Sequence, residues 1–439
     1  MNNSYTKSNK ATALLLSVLL LSSCSTNIED KRTFGGTHFS NTEETIETEA
    51  LKTERTKKLP FNTTAAPEEG SEASSATTEE ELPLFTQAEI EDEIILTAGT
   101  SQAETAVEIT TASEAETTTE AVTTEAPAET TAATFGTVEG SYNVIGDSGI
   151  LVSYMDGHYR GLMPCFGTYG YCDGWIAAAN KFKEKLPLVN VYNMVVPTSS
   201  EFYIPKGYES GFTTSQYNKI SYIAEGLENV TDIDAYSALK AHTDEEIFSR
   251  TDHHWFPLGG YYAAEEFASV AGIEFPKLSE YKKVSCKGYV GSLYNYSGDS
   301  HLYNDPEEFV MYIPPNNNKL KTTYYNTSFG GGYESELFVA SDASAYYCSF
   351  LGSDDRIAEI ETNVKNGRTL VIFKESYGNA LVPFLTSGYE KIYVCDIRYF
   401  TPNAVDFCKE VGATDLLFAV CTYTPAGTNG KYLGNIINQ

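Results

Sequence analysis

From residue 136 onward this 439-residue sequence predicts an α/β fold built on a parallel sheet. Three observations carry the prediction. Short apolar, β-branched runs alternate with stretches of helical periodicity, the pattern of strands joined by crossover helices. The alternation is tightest near the C-terminus, where strand, helix, strand, helix and strand follow one another within residues 369–420. The composition also changes sharply near residue 135, which leaves about 300 residues, enough for one large core.

The elements follow in order. Residues 172–186 have helical spacing and lead into 189–196, an apolar run that reads as a buried strand. Residues 215–227 form a second helical pattern. Pro257 opens a third, through residue 271, because its fixed φ and missing N–H suit a first helical position. Residues 282–296 and 307–312 read as β pieces inserted into the plan. Then come a strand at 369–373, a short helix at 379–386, a strand at 391–397, a helix at 402–411 and a strand at 415–420.

The N-terminal third has a different character. Lys7 and Lys10 precede a short apolar run, 11–21, and then Leu21-Ser22-Ser23-Cys24. The run is too short for a comfortable membrane span, and the order of features is that of a signal segment. An aliphatic residue, two small residues and Cys resemble a bacterial lipobox. That implies removal of residues 1–23, a lipid on Cys24 and an extracytoplasmic, membrane-anchored protein at the cell surface. Residues 25–135 carry 24 acidic and 6 basic side chains, and 59–135 contain no Lys, Arg, His, Trp or Tyr. Such Thr/Glu/Ala/Ser-rich sequence cannot bury enough surface to offset its ordering entropy. The expectation is a disordered tether over 24–135, spanning roughly 60 Å root-mean-square as a flexible coil, and one folded domain over 136–439.

The formal net charge is −30, with no basic cluster, which disfavours nucleic-acid binding. The folded part holds seven cysteines, an odd number, and no C-x-x-C pair. A zinc ribbon or thioredoxin-like site is therefore not expected. Cys395, Cys408 and Cys421 fall on predicted core elements and read as small buried hydrophobes. A Cys165–Cys172 bridge is left open.

The strongest chemical signal is Arg250-Thr251-Asp252-His253-His254-Trp255. In extended backbone, residues two apart share a side, so Asp252 and His254 would present a carboxylate and an imidazole together, with His253 turned away. An orienting acid and a general base need that arrangement. A structural cluster and a metal site using both histidines are the competing readings; no H-E-x-x-H spacing supports the metal. Three serines are candidate nucleophiles. Gly146-Asp147-Ser148 and Gly298-Asp299-Ser300 match a GDS block literally, and Glu375-Ser376 matches it loosely. Context favours Ser376. It follows the apolar run 369–373 and precedes a short helix, the sharp strand-to-helix turn a nucleophile requires. Ser148 is followed instead by Ile150-Leu151-Val152, a strand pattern, and Ser300 is expected in a polar loop. No histidine follows residue 301, so Ser376 requires Asp and His earlier in the chain. Triads are defined by geometry rather than order.

Thr251-Asp252-His253-His254-Trp255 resembles the signature of the bacterial DHHW protein family, which is similar to the alginate O-acetyltransferase proteins. Val196-Pro197-Thr198-Ser199, Gly291-Ser292-Leu293-Tyr294 and Asp396-Ile397-Arg398-Tyr399-Phe400 also look familial. The resemblance implies an SGNH-hydrolase-like, flavodoxin-like parallel sheet with helices on both faces and a circularly permuted catalytic order. It implies Asp252, His254 and Ser376 as a triad. Glu375 stands where the family usually has Asp. Asn379, beside the Ser376 backbone N–H, is expected at the oxyanion, Tyr377 along the pocket, and Arg398 against an anionic sugar or carboxylate.

Three functions stay open at this point. The first is an O-acetyltransferase or acetylesterase acting on polysaccharide or another acetylated carbohydrate. The second is a non-catalytic polysaccharide-binding or assembly protein, and the third a metal-dependent hydrolase. No cofactor or metal is expected under the first two. A transferase would need its acyl donor delivered by another protein, such as a membrane acyl exporter.

Overall fold

The computed structural model describes residues 136–439. Cys24, the signal segment and the expected tether lie outside the described residues. The chain enters through β1 (Thr137–Val138) and an antiparallel meander of β2 (Ser141–Ile145), β3 (Leu151–Met155) and β4 (His158–Leu162). Helix α1 (Tyr169–Lys185) leads into β5 (Asn190–Val196). Then β6 (Ile204–Pro205) pairs with β1, and α2 (Gln216–Gly226) runs to β7 (Thr231–Asp232). Two further helices follow, α3 (Ala235–Lys240) and α4 (Pro257–Ala271). A hairpin of β8 (Lys282–Tyr289) and β9 (Glu307–Ile313) encloses the short helices α5 (Ser292–Ser297) and α6 (Ser300–Asn304). Next come β10 (Lys321–Tyr325), β11 (Tyr333–Ser335) and β12 (Ile357–Glu361). The last part alternates β13 (Thr369–Lys374), α7 (Val382–Leu385), β14 (Lys391–Asp396), α8 (Ala404–Glu410), β15 (Asp415–Cys421) and α9 (Lys431–Asn438).

The main sheet has the order β11-β10-β12-β14-β13-β15-β5-β7. From β14 to β7 all neighbours are parallel, as the alternation of strands and helices predicts. The far edge turns antiparallel at β12, β10 and β11, which the sequence pattern did not indicate. The central strands are buried along almost their whole length because both faces are covered. Adjacent residues of β5 show this directly. Asn193 accepts from Trp175 Nε1 of α1 at 2.9 Å, while the Tyr192 ring meets Phe267 of α4 at 5.2 Å. On the α1 face, Phe182 packs against Phe373 and Phe418.

Local signals set the helix limits. Ser215 caps α2 by accepting from Asn218 N at 3.2 Å, and Asn403 caps α8 through Val405 N and Asp406 N. Gly272, at φ +63°, ends α4 in the left-handed conformation that glycine adopts without strain. Two expectations need correction. Residues 282–296 are not a continuous β piece: the strand stops at Tyr289 and Ser292 starts a helix. Gly291 marks the break, because a Cβ there would lie 2.4 Å from Asp252, so backbone alone fits against that side chain. Ser300 opens α6 rather than sitting in a loop, and Asp299 caps that helix through His301 N at 2.9 Å.

The chain crosses from β13 to β14 on one side, then to β15 on the other side of β13. The carboxyl end of β13 is therefore a topological switch point, where open α/β sheets form their crevices. Among the described residues, no helix is long and apolar enough to cross a membrane.

Candidate active site

Ser376 starts a 3-10 turn, Ser376–Ala380, at the carboxyl end of β13. His254 Nε2 lies 2.8 Å from Ser376 Oγ, and His254 Nδ1 lies 2.6 Å from Asp252 Oδ1. An ionised carboxylate only accepts, so Asp252 fixes Nδ1 as the protonated nitrogen and leaves Nε2 to accept from the serine. Burial pushes the Asp252 carboxyl up, but the His254 and His253 imidazoles outweigh it and hold the group well below the usual carboxylate range. All three residues are enclosed: Ser376 is 1% exposed, His254 3% and Asp252 5%.

The loop carrying Asp252 and His254 is stapled by one buried carboxylate. Glu307 on β9 accepts from Ser249 Oγ, Thr251 N and Thr251 Oγ1 through one oxygen, and from Arg250 N through the other. Ser249 Oγ then accepts from Asp252 N at 2.8 Å. Asp252 Oδ1 also accepts from His254 N at 2.9 Å, and Oδ2 from Ser292 N at 2.8 Å. Asp252 and His254 thus meet through a tight turn closed by the Asp side chain, not through extended backbone. The expectation that His253 turns away is corrected for the same reason. Its ring sits 3.8 Å from that of His254, and its Nδ1 is 2.6 Å from Ser292 Oγ. Burial, reinforced by the neighbouring His254, pushes the His253 imidazole down to about 3. On its other face His254 is stacked by Tyr347 at 3.9 Å, nearly parallel. The Tyr347 hydroxyl is shared between the carbonyls of Ser376 and Tyr377, 3.0 Å from each.

The weaker sequence candidates are placed differently from what was expected. Tyr377 is buried. Its hydroxyl donates to His253 O, and its own carbonyl accepts from Trp255 Nε1 at 2.9 Å, which ties the serine turn to the Asp-His loop. Arg398 is also buried. Its guanidinium meets Asp396 at 2.7 Å and Asp354 at 2.8 Å rather than a surface ligand site. Lys374 Nζ completes that quartet, 2.7 Å from Asp354 and 3.0 Å from Asp396. Asn379 Nδ2 donates to Asp354 Oδ1 at 2.8 Å, so one amide hydrogen is already committed. Asn379 Oδ1, Arg398 Nη1 and His253 Nε2 are buried without a hydrogen-bond partner.

Glu375 accepts from Cys421 N at 2.7 Å and Tyr377 N at 3.1 Å, and its Oε2 lies 3.3 Å from Ser376 Oγ. Burial raises its carboxyl, although Arg398 and the backbone donors pull against that. The serine hydrogen has its shorter path to His254.

Ser148, part-buried in the turn before β3, hydrogen-bonds Ile150 N and belongs to the meander. No two cysteines are joined among the described residues, so Cys165 and Cys172 are not bridged. Burial pushes their thiols up to about 12 and about 11, which suppresses the nucleophilic thiolate. Asp252, His253 and His254 are the one group of metal-ligating side chains found close together among the described residues, within 4.8 Å. Both ring nitrogens of His254 and His253 Nδ1 are already engaged, so an ion would have to break these hydrogen bonds.

Sequence reasoning missed Tyr347, Glu307 and Asp354, and it named Ser292 only within the familial stretch Gly291-Ser292-Leu293-Tyr294. Tyr347 and Asp354 lie in irregular stretches with no periodicity. Lys374 and Asp396 did leave a signal, as opposite charges at or near the ends of the apolar runs 369–373 and 391–397, and they are register partners.

Comparison with known proteins places this geometry in context. A family model described as DHHW protein matches residues 106–395. The crystal structure of a DHHW family protein from Eubacterium siraeum is 44% identical, covers 68% of this chain and 98% of its own, and superposes with a TM-score of 0.65. Bacillus cereus PatB1 with a sulfonyl adduct is 19% identical, covering 64% of this chain and 98% of its own at a TM-score of 0.54, and shares the fold. The O-acetyltransferase domain of Pseudomonas putida AlgJ is 14% identical, covering 70% and 99%, with a TM-score of 0.37. No curated protein matches. The expected SGNH-hydrolase-like architecture holds, with the Asp-His loop ahead of the serine in the chain.

Proposed function

Because the chain belongs to the DHHW protein family, we propose that Ser376, His254 and Asp252 form an acyl-transfer site. On this reading the protein moves or removes O-acetyl groups on extracellular or cell-wall polysaccharide. The observation that carries it is the hydrogen-bonded line from Asp252 Oδ1 through His254 to Ser376 Oγ, 2.6 and 2.8 Å, assembled across 122 residues of sequence. His254 Nε2 takes the hydroxyl proton as Ser376 Oγ attacks the ester carbonyl carbon. Asp252 supports the imidazolium, and the Ser376 backbone N–H faces the developing oxyanion. Collapse of the intermediate breaks the bond to the alcohol oxygen, which takes the proton from His254. Water or a sugar hydroxyl then gives its proton to His254 and receives the acetyl group, freeing the serine. The enclosure of Ser376 suits a small acyl group entering end-on while the sugar stays outside.

The same enclosure favours the second reading, a non-catalytic polysaccharide-binding or assembly protein. Hydrolysis of a chromogenic acetyl ester decides between them. Activity in the full chain that Ser376→Ala and His254→Ala abolish supports catalysis. Its absence toward a panel of acetylated polysaccharides as well returns the weight to binding. The proposal includes export, a lipid on Cys24, a tether over 24–135 and a catalytic domain over 136–439. Fatty-acid labelling lost in Cys24→Ala tests the anchor.

A further inference from the structure

We infer that the outer face of the β2-β3-β4 meander is a stacking platform for an uncharged glycan chain. This rests on the reading of polysaccharide as substrate class and specifies it. Four rings converge there. Tyr159 sits between Tyr142, Tyr154 and His301, with ring centroids 5.5, 4.9 and 4.5 Å away, and Tyr142 and His301 are themselves 4.3 Å apart. Tyr142 and Tyr154 remain 39% and 38% exposed, and the His301 side chain 38%. Packing has therefore brought these rings together with Tyr142 and Tyr154 left exposed, while Tyr159 is half-buried against the core. Open tyrosine rings give an apolar face for sugar C–H groups and a hydroxyl for sugar oxygens.

Charge narrows the ligand. The carboxylates at the rim are Asp299, within 3.4 Å of the Tyr142 hydroxyl, and Asp305, whose Oδ2 accepts from Tyr159 N at 2.7 Å. The Arg250 guanidinium nearby is already paired with Asp305 at 2.9 Å. The His158 imidazole also lies 2.9 Å from Asp305 and that of His301 2.7 Å from Asp299, so the nearby basic groups are committed to these carboxylates. A uronate-rich or phosphorylated polymer would have to compete with them, whereas neutral sugars would not.

The platform is joined to the candidate active site. Arg250 Nη1 donates to Tyr159 O at 3.0 Å, Gly161 N donates to Arg250 O at 2.8 Å, and Arg250 stands two residues before Asp252. His301 belongs to α6, which follows α5, whose Ser292 N–H holds Asp252. A chain laid across the rings therefore lies on strands that hydrogen-bond the start of the loop carrying Asp252 and His254.

Affinity electrophoresis of the full chain through gels containing acetylated xylan, glucomannan or soluble chitin oligomers, against polygalacturonate, tests this without turnover. We expect retardation by at least one neutral glycan and none by polygalacturonate. Ser376→Ala should bind as wild type, so a failed triad would leave the result intact. Tyr154→Ala and Tyr142→Ala should each weaken binding about tenfold with unchanged melting temperature. Equal binding of polygalacturonate, no binding of any neutral glycan, or wild-type affinity in both folded tyrosine variants would overturn the platform. So would a dimer in sedimentation that Tyr154→Ala dissolves, since a second copy would then occupy the rings.

Discussion

Asp252→Asn is the substitution whose effect the geometry specifies most fully. In the wild type, Oδ1 accepts two N–H groups from His254, and Oδ2 accepts one from Ser292. A carboxamide has one acceptor oxygen and one donor. With its oxygen at the Oδ1 position, its NH₂ faces the Ser292 N–H, leaving a buried donor unmet at a cost of about 1–3 kcal/mol. With its oxygen at the Oδ2 position, its NH₂ faces His254 Nδ1 and forces the proton to Nε2, where it blocks proton uptake from Ser376. The second arrangement meets the Ser292 donor, but it leaves the His254 backbone N–H facing the NH₂ group without an acceptor and removes the base. The same replacement in the serine-protease triad lowers kcat about 10⁴-fold, or about 5.4 kcal/mol at 1.36 kcal/mol per tenfold. Hydrolysis of p-nitrophenyl acetate should fall by three to four orders of magnitude in order-of-magnitude terms, while thermal unfolding shows a folded protein. A folded Asp252→Asn chain with kcat within tenfold of wild type would refute the reasoning.

Three further outcomes follow from the same geometry. His253 is pushed down to about 3 by burial, so the folded state sheds a proton that the unfolded state keeps below about 6.5. Its contribution to stability is present above that value and lost as pH falls. His253→Gln should therefore lose about 3 kcal/mol less than wild type between pH 7 and pH 4 in denaturant titrations, from about 1.36 kcal/mol per proton per pH unit. Parallel curves would contradict it. Asp354 accepts from Lys374, Arg398 and Asn379. Asp354→Ala leaves buried cations under-compensated and should cost about 3–5 kcal/mol, read as a fall of about 6–12 °C in melting temperature; a loss under about 1 kcal/mol would mean the quartet is dispensable. Finally, EDTA should leave ester hydrolysis within about twofold, because a serine acyl transfer draws on no metal. Loss on chelation that zinc restores would favour a metal-dependent hydrolase at Asp252, His253 and His254.

The legible parts of the fold were those where local pattern and tertiary role agree. The run Thr369–Lys374 is buried on both faces, so its apolar continuity survived into the sequence. Pro257 at the start of α4 marked a real helix end. The meander and β10 to β12 were less legible because their strands are short and partly exposed, so no long apolar run marks them. The stretch around Tyr347 is held by partners further along the chain. At the site, the strand-to-helix context of Ser376 and the short spacing of Asp252 and His254 were local. What surrounds them is not. Glu307 reaches the loop from 56 residues away, and Tyr347 reaches the serine turn from 29. The buried partners of Arg398 and Tyr377 were not legible, because a charge or a hydroxyl near a strand end looks the same in sequence whether it faces solvent or a buried partner.

The most direct test of the account is covalent labelling of the full chain by a sulfonyl fluoride, read by peptide mass spectrometry. An adduct on Ser376 that disappears in His254→Ala, with Ser148 unmodified and Ser148→Ala fully active, is the predicted result. An adduct on Ser148 or Ser300, or ester hydrolysis that persists in Ser376→Ala, would contradict it.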